Sequence, residues 1–316
     1  MKRILAPRAS AILYKVLCGR QPGLPFLLPA NICPIVPLTF MKSGVPFEFV
    51  DISPRSLGMD PDLAEKRLRA ANGRIGGILY AHPYGHPSAP DDFFRWAKER
   101  WANLLIIDDR CLCTPDLHPP GAPVADVILY STGYAKIVDI GFGGFAFLGQ
   151  ELGAEHPLLP YNEPEMRAFE AEYTACVKSG RRYVYRDCAW LQTEASLPSW
   201  KDFAHRVGNE RRRSVAHRRK INAVYDALIP AEVRLDADFQ LWRFNLRLQN
   251  SDVVTKRLFA AGLFASSHYR SLVGIMGEGT DVHARDLAAR VVNLFNDHHY
   301  TADMAERTAS IIVESL

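Results

Sequence analysis

The sequence predicts an α/β fold with a mostly parallel, helix-covered sheet. Short apolar runs alternate with longer amphipathic segments in the first half of the chain, as strands and helices do in such folds. Two of the apolar runs carry chemistry at their ends: LLIIDD ends in Asp108 and Asp109, and VILYS is followed by GYAK, which contains Lys136. The C-terminal part has predicted strands and helices of its own. This pattern indicates a second, smaller α+β domain.

Each element follows from the spacing of apolar residues and from turn residues. Helical spacing predicts helices at 9–17, with Ser10 as a possible cap, after Cys33, at 60–71, in DDFFRWAKERW and in the basic run ERRRSVAHRRKINAVYDAL. Strands are predicted in FLLPA, FEFVDI, GGILYAH, LLIIDD, VILYS and LWRFNLRL. VTKRLFAAGLF, ARDLAARVVNL and TADMAERTASIIVESL predict the last helices, and residues 151–200 predict helices with a long connection.

Length and composition limit the functional classes. The chain has 316 residues, 48% hydrophobic and 23% charged, which suits a large domain at 1–205 and a small one at 206–316. A net charge of +3 is too small to indicate binding to nucleic acid, and no apolar run reaches the ~18 residues of a membrane-spanning helix. The six cysteines form neither a disulfide framework nor a zinc set. We therefore expect no metal and no membrane partner, and a reduced, cytoplasmic location.

The acid and the lysine point to one kind of chemistry. At the ends of neighbouring strands they would face one crevice, where α/β sheets bind cofactors. A lysine can hold pyridoxal phosphate if it is unprotonated near neutral pH, and a buried carboxylate keeps the cofactor's ring nitrogen protonated. Lys136 and Asp109 are the candidates. Ser131 could donate to the phosphate, the helix start at Ser10 could bind it, and a glycine turn follows, at Gly141, Gly143 and Gly144.

The residues alone leave plainer interpretations open. A strand that ends in two aspartates is common, and an isolated lysine is more often on the surface. The helix at Ser10 could be an ordinary capped helix, and the basic run could be either a solvated helix face or a contact for a nucleotide diphosphate. His82 and His86, at the end of a predicted strand, fit structural positions better than a metal or catalytic site.

A set of segments occurs along the chain in a characteristic order: RASAILY, LLPANICP, FEFVDI, ILYAHPYG, IIDD, YSTGYAK, GFGG, ERRRSVAHRRKINAVYDAL, RLFAAGLFASSHYRSL and LAARVVNLFNDHHYTADMAERTASII. In this order the segments resemble the DegT/StrS family of pyridoxal-phosphate-dependent aminotransferases. The resemblance implies transferase fold type I, with a seven-stranded sheet, a small C-terminal domain and a homodimer whose active site lies at the interface. It also implies that Lys136 binds the cofactor covalently, that Asp109 pairs with its ring nitrogen, and that Ser131, Ser10 and Ala9 contact its phosphate.

Three positions differ from the family's usual pattern. At the position of Cys33 the family usually has an aromatic residue that stacks on the cofactor ring. At the position of Leu112 it usually has Gln or His in contact with that ring, and at the position of Val184 it usually has an Asn that reaches the phosphate of the partner subunit's cofactor. The resemblance implies transfer of an amino group from an amino acid, with glutamate expected, to a keto sugar linked to a nucleotide. Two alternatives remain: a small non-sugar ketone or amine as substrate, or a member without turnover that serves as a binding or partner subunit.

Overall fold

The computed structural model describes residues 1–19, 23–119, 121, 123–149 and 158–316. The prediction of helices and a connection at 151–200 falls partly on residues 151–157, which lie outside the described residues. Within the described ranges, no helix is long and apolar enough to cross a membrane. In the same part of the chain, no group of three or more His, Cys, Asp or Glu residues is arranged to hold a metal ion.

A seven-stranded sheet forms the centre of the larger part of the molecule. Its strands are β1 (Lys2–Ala6), β2 (Phe26–Pro29), β3 (Phe47–Val50), β4 (Gly77–Ala81), β5 (Leu105–Asp109), β6 (Val127–Ser131) and β7 (Gly144–Leu148). They lie in the order β1-β7-β6-β5-β4-β2-β3. Strand β7 is antiparallel to both of its neighbours, and the others are parallel to one another. The predicted α/β fold with a mostly parallel sheet is confirmed, although the apolar pattern had not indicated β1 or β7.

Helices cover this sheet, and most begin where the sequence predicts. They are α1 (Ala9–Cys18), α2 (Ile35–Ser43), α3 (Pro61–Ala71), α4 (Asp91–Arg100), α5 (Glu163–Ser179) and α6 (Trp200–Leu228). The cap of α3 is Asp60, whose carboxylate accepts the backbone N–H groups of Asp62 and Leu63 at 2.9 and 3.1 Å. The prediction for α1 is wrong in one respect. Arg8 is the extended residue before the helix, so Ser10 lies inside the first turn and does not cap it.

The C-terminal part builds a second, three-stranded sheet. It contains β8 (Phe244–Arg247), β9 (Ala265–Ser266) and β10 (Val291–Leu294), in the order β8-β10-β9, with helices α7 (Ser251–Ala260), α8 (Val282–Arg290) and α9 (Ala302–Val313). The single helix predicted over ARDLAARVVNL is wrong at its end. The helix ends at Arg290, and the last four residues of this segment, Val291–Leu294, form β10 and pair with β8 instead. Two of them are valines, whose β-branched side chains favour strands.

Helix α6 connects the two parts. Its first half buries Phe203 and Val207 in the core of the large sheet, and its second half buries Ile221 and Tyr225 in the core of the small sheet. The helix runs without interruption for 29 residues. The domain boundary predicted at 205 and 206 falls within it, and that boundary stays a prediction.

Candidate active site

A cavity of about 470 Å³ lies at the carboxyl edge of the large sheet. Its walls come from the residues that follow β2, β4, β5 and β6, which is where parallel sheets of this kind bind ligands. All seven residues predicted for the site line this cavity: Ala9, Ser10, Cys33, Asp109, Leu112, Ser131 and Lys136. The fold therefore brings together groups that are up to 127 positions apart in the chain (from 9 to 136).

Asp109 is the buried acid of the cavity. It ends β5, is only 6% exposed, and accepts the backbone N–H of Cys111 at 3.0 Å. Burial raises the pKa of this carboxyl above its ordinary value, although the hydrogen bonds from Cys111 and the charges of Lys136 and His82 oppose the shift. A carboxylate in such surroundings is stabilised by a cation that enters the cavity.

Asp108 has a different environment from its neighbour. Successive side chains of a strand point to opposite faces, and Asp108 accepts a hydrogen bond from Arg110 Nε at 2.6 Å and lies 2.5 Å from His82 Nε2. Burial alone would raise the pKa of Asp108, but the hydrogen bonds and charges of His82 and Arg110 hold it below its ordinary value. Asp108 is therefore an ion-pair partner of Arg110 and faces His82, away from the role of Asp109.

His82 is held at both ring nitrogens. Its Nδ1 lies 2.6 Å from the backbone carbonyl oxygen of His86, and its Nε2 faces Asp108. The His82 side chain is fully buried. With both nitrogens engaged, His82 fits the structural position that the sequence analysis favoured, and it holds the turn that follows β4 in place.

Lys136 lies in the turn between β6 and β7. It is half-buried and lines the cavity. The preceding residue, Ala135, has a left-handed backbone with φ of 59°, and its N–H donates to Asp139 at 2.9 Å. The other carboxylate oxygen of Asp139 accepts the N–H of Gly141 at 2.9 Å. Asp139 thus closes a compact loop around the lysine.

The glycine turn brings this loop against the start of α1. Gly143 has a φ of +95°, and its N–H donates to the carbonyl oxygen of Pro7 at 2.8 Å. A Cβ on Gly144 would lie 2.2 Å from the backbone nitrogen of Ala9, so only glycine allows this approach. The first N–H groups of α1 and the hydroxyl of Ser131 consequently border the same cavity. Such a helix start attracts phosphate.

Other cavity residues were not predicted from the sequence. Arg8, Asn31, Phe142, Gln192, Ser196 and Tyr269 also line it. Gln192 and Ser196 come from the connection before α6, and Tyr269 comes from the C-terminal part. Tyr269 lies in a segment that contributed to the family resemblance, but no spacing singled it out. Val184 does not line the cavity and is 68% exposed.

Tyr269 places an aromatic ring beside Cys33. Burial, together with the nearby Cys33 and Asp109, raises the pKa of Tyr269. The cavity therefore contains an aromatic side chain, but it comes from the C-terminal part rather than from the position of Cys33.

Comparison with known proteins shows where this fold occurs. No protein-family model and no curated protein matches the sequence. Among solved structures, a DegT DnrJ EryC1 StrS aminotransferase from Brucella abortus has a TM-score of 0.69 at 16% identity, covering 100% of this chain and 86% of that one. DesI, solved in the presence of its TDP-sugar product, has a TM-score of 0.73 at 18% identity, with 99% and 80% coverage.

A third neighbour has a product of another kind. 3-Amino-5-hydroxybenzoic acid synthase superposes with a TM-score of 0.67 at 16% identity, covering 99% of this chain and 86% of that one. The match to all three structures extends over nearly the whole chain, including both sheets. The chain has the fold type I architecture of the pyridoxal-phosphate-dependent aminotransferases.

Proposed function

We propose that the chain is a pyridoxal-phosphate-dependent aminotransferase that passes the amino group of an amino acid to a keto sugar. One observation carries the proposal: a buried acid and a lysine line a single cavity at the carboxyl edge of a sheet of this fold type. Asp109 is a buried carboxyl group whose pKa is raised by burial, so a cation beside it would stabilise its charged form. Lys136 is the cavity's nucleophilic amine.

The cavity residues fit the cofactor. Asp109 would hold the protonated ring nitrogen, and a new positive charge there would offset the cost of burying the carboxylate. Lys136 Nζ would hold the cofactor covalently. Ser131, Ser10 and the first N–H groups of α1, which begin at Ala9, would hold its phosphate. The bound cofactor supplies an electron sink for the carbon from which the donor loses its proton.

Lys136 has a second task in this proposal. With the cofactor joined to an amino donor, Lys136 Nζ would be a free amine within the cavity and would take the donor's α-proton and hold it for return within the site. The compact loop closed by Asp139 limits the positions that this amine can occupy. Cys33 and Leu112 would border the ring without a charge, which leaves Asp109 as its ionic partner.

The substrate and the assembly are finer parts of the proposal. DesI was solved with a TDP-sugar, which supports a nucleotide-linked keto sugar as acceptor, and glutamate is the expected donor. The amide of Gln192 and the hydroxyl of Ser196 at the cavity wall suit a polyhydroxylated substrate. We propose a homodimer with the site at its interface, in which exposed Val184 occupies the position of the family's cross-subunit contact.

Two alternatives have specific observations in their favour. The structural likeness to 3-amino-5-hydroxybenzoic acid synthase supports a small substrate that is not a sugar. Leu112 and Val184, which cannot make the family's usual polar contacts, favour a subunit without turnover. The presence of Lys136 and Asp109 in one cavity argues against that second alternative.

Spectroscopy of the purified protein tests the proposal. Protein loaded with pyridoxal phosphate should absorb in the near-UV/visible range, and the Lys136→Ala variant should lack the band of the lysine-bound cofactor. Glutamate should remove this band, and the correct keto-sugar nucleotide should restore it. An identical spectrum in the variant would refute the cofactor assignment. A band that persists across a panel of amino donors would favour the subunit without turnover, and return of the band with small ketones alone would favour the non-sugar alternative.

A further inference from the structure

The backbone around Lys136 is held by side chains of the connecting helix α6 and of the C-terminal part of the chain. Trp242 Nε1 donates to the carbonyl oxygen of Ala135 at 2.8 Å, and Arg218 Nη2 donates to that of Lys136 at 3.1 Å. The carbonyl oxygen of the next residue, Ile137, accepts a hydrogen bond from the hydroxyl of Ser214 at 2.5 Å. Three successive carbonyl groups at the lysine are thus fixed by three donors, none of which belongs to the large sheet or its loops.

Arg218 connects these donors into one network. Its Nη1 donates to the carbonyl oxygen of Trp242 at 2.6 Å and to Asn296 Oδ1 at 2.5 Å, and its Nε donates to Ser214 Oγ at 3.1 Å. The residue is only 2% exposed. Burial lowers the pKa of Arg218 to about 10, so it still carries its charge near neutral pH.

The position of Arg218 is unusual for its sequence context. It lies in the basic run of α6, where the neighbouring Arg219 is exposed. A buried guanidinium is costly unless its donors are satisfied. Here the partners of Arg218 are carbonyl, amide and hydroxyl oxygens around the lysine loop, and no carboxylate hydrogen bond to it is found among the described residues. Because burying the Arg218 guanidinium is costly and its hydrogen bonds go to the backbone around Lys136, we infer that it serves to fix the loop that contains this lysine.

We propose that Arg218 is a positioning residue for Lys136, acting through the backbone carbonyl of Lys136 and through Trp242 and Ser214. The inference rests on the proposed function, because it assumes that Lys136 Nζ reacts with the cofactor. The flexible stem of a lysine leaves its amine poorly placed unless the backbone is fixed, and misplacement by about 1 Å can slow a reaction by about 100-fold. Helix α6 and the C-terminal part therefore set the reactivity of a lysine in the turn between β6 and β7.

The rate at which Lys136 captures pyridoxal phosphate tests this role directly. Cofactor-free full-length protein is mixed with pyridoxal phosphate, the lysine–cofactor bond is fixed by borohydride at successive times, and peptide mass spectrometry measures the labelled fraction of Lys136. We expect Arg218→Ala to slow the labelling of Lys136 by about tenfold or more. Arg219→Ala, which removes the adjacent exposed cation of the same helix, should label at the parent rate. Surface lysines in the same samples serve as an internal control.

Chemical rescue separates positioning from a general structural role. Added methylguanidinium should restore the labelling rate of Arg218→Ala, because it can occupy the vacated space and donate to the same carbonyl groups, and it should not accelerate the parent. If Arg218→Ala does not fold, Trp242→Phe and Ser214→Ala, each of which removes one donor to the loop, should slow the labelling of Lys136 instead.

The outcomes distinguish the two proposals. If the parent and Arg219→Ala are not labelled at Lys136, the proposed function fails, and the positioning role fails with it. If the parent is labelled but the folded variants at Arg218, Trp242 and Ser214 capture the cofactor at the parent rate, the positioning role is refuted and the proposed function stands. Slow labelling that methylguanidinium does not rescue in folded Arg218→Ala also refutes the role of Arg218.

Discussion

Replacing each of the two adjacent acids with its amide should change the protein in opposite ways. Asp109→Asn removes a buried carboxylate whose pKa is raised by burial, whereas Asp108→Asn removes one whose pKa is lowered by His82 and Arg110 despite burial. We expect Asp109→Asn to weaken the binding of pyridoxal phosphate while leaving the cofactor-free protein as stable as the parent or more stable. We expect Asp108→Asn to destabilise the cofactor-free protein.

The signs follow from proton linkage. A raised pKa in the folded state means that Asp109 contributes stability below its unfolded pKa of about 3.9 and loses that contribution as the pH rises through the folded pKa. Near neutral pH its buried charge is therefore a cost that Asn removes. Asp108 behaves in the opposite way, because its pKa is lowered in the folded protein. Its contribution to stability is present above its unfolded pKa and is lost as the pH falls through its folded pKa.

The magnitudes follow from the contacts. The Asp108 side chain is 3% exposed and pairs with His82 and with Arg110, whose side chain is 26% exposed. Its replacement by Asn weakens hydrogen bonds to a charged group and should cost about 1.5–3 kcal/mol. Asp109→Asn loses a hydrogen bond between charged groups in the cofactor complex, which is worth about 1.5–3 kcal/mol. That corresponds to a dissociation constant for pyridoxal phosphate about 10- to 100-fold higher.

Two measurements on the same preparations check this reasoning. Urea denaturation of the cofactor-free proteins gives the free energy of unfolding at several pH values, and titration with pyridoxal phosphate gives the dissociation constant. Unchanged cofactor affinity in Asp109→Asn would remove this acid from the proposed site. A loss of stability in Asp109→Asn as large as that in Asp108→Asn would show that its role is structural.

Further substitutions test the geometry around the site. Gly144→Ala places a Cβ where the backbone of Ala9 lies, so we expect a loss of unfolding free energy and weaker pyridoxal phosphate binding, measured by denaturation and titration. Asp60→Ala removes the cap of α3, and Asp60 does not line the cavity; the change should cost about 1 kcal/mol in urea denaturation and leave the spectrum of the loaded protein unchanged. A parent-like Gly144→Ala, or an altered spectrum in Asp60→Ala, would contradict these assignments.

The sequence predicts the parallel strands well because each is a short apolar run flanked by turn residues. The two strands that it does not indicate have other causes. β1 begins with two basic residues, and β7 directly follows the glycine turn, so neither looks like an isolated apolar run with its own boundaries. β7 becomes a strand by pairing with β6, and β1 becomes one by pairing with β7, and both pairings exist only in the folded sheet.

The candidate site is predictable to the extent that its residues lie at strand ends. Asp109, Ser131 and Lys136 follow predicted strands, so the sheet brings them to one edge. Arg218 could not be predicted, because one arginine among several in an amphipathic basic run looks exposed. Only the packing of α6 between the two sheets shows that this one is buried. Tyr269 is hidden from sequence reasoning in the same way, since its approach to Cys33 depends on how the C-terminal part folds.

The two parts of the molecule divide the control of the site. The large sheet supplies the acid that determines how tightly a cationic ring is held, and it supplies the lysine itself. The connecting helix α6, through Arg218 and Ser214, and the C-terminal part, through Trp242, hold the carbonyl groups of that lysine and of its two neighbours. Asp109 should therefore govern the affinity for the cofactor, and Arg218 the rate at which Lys136 captures it.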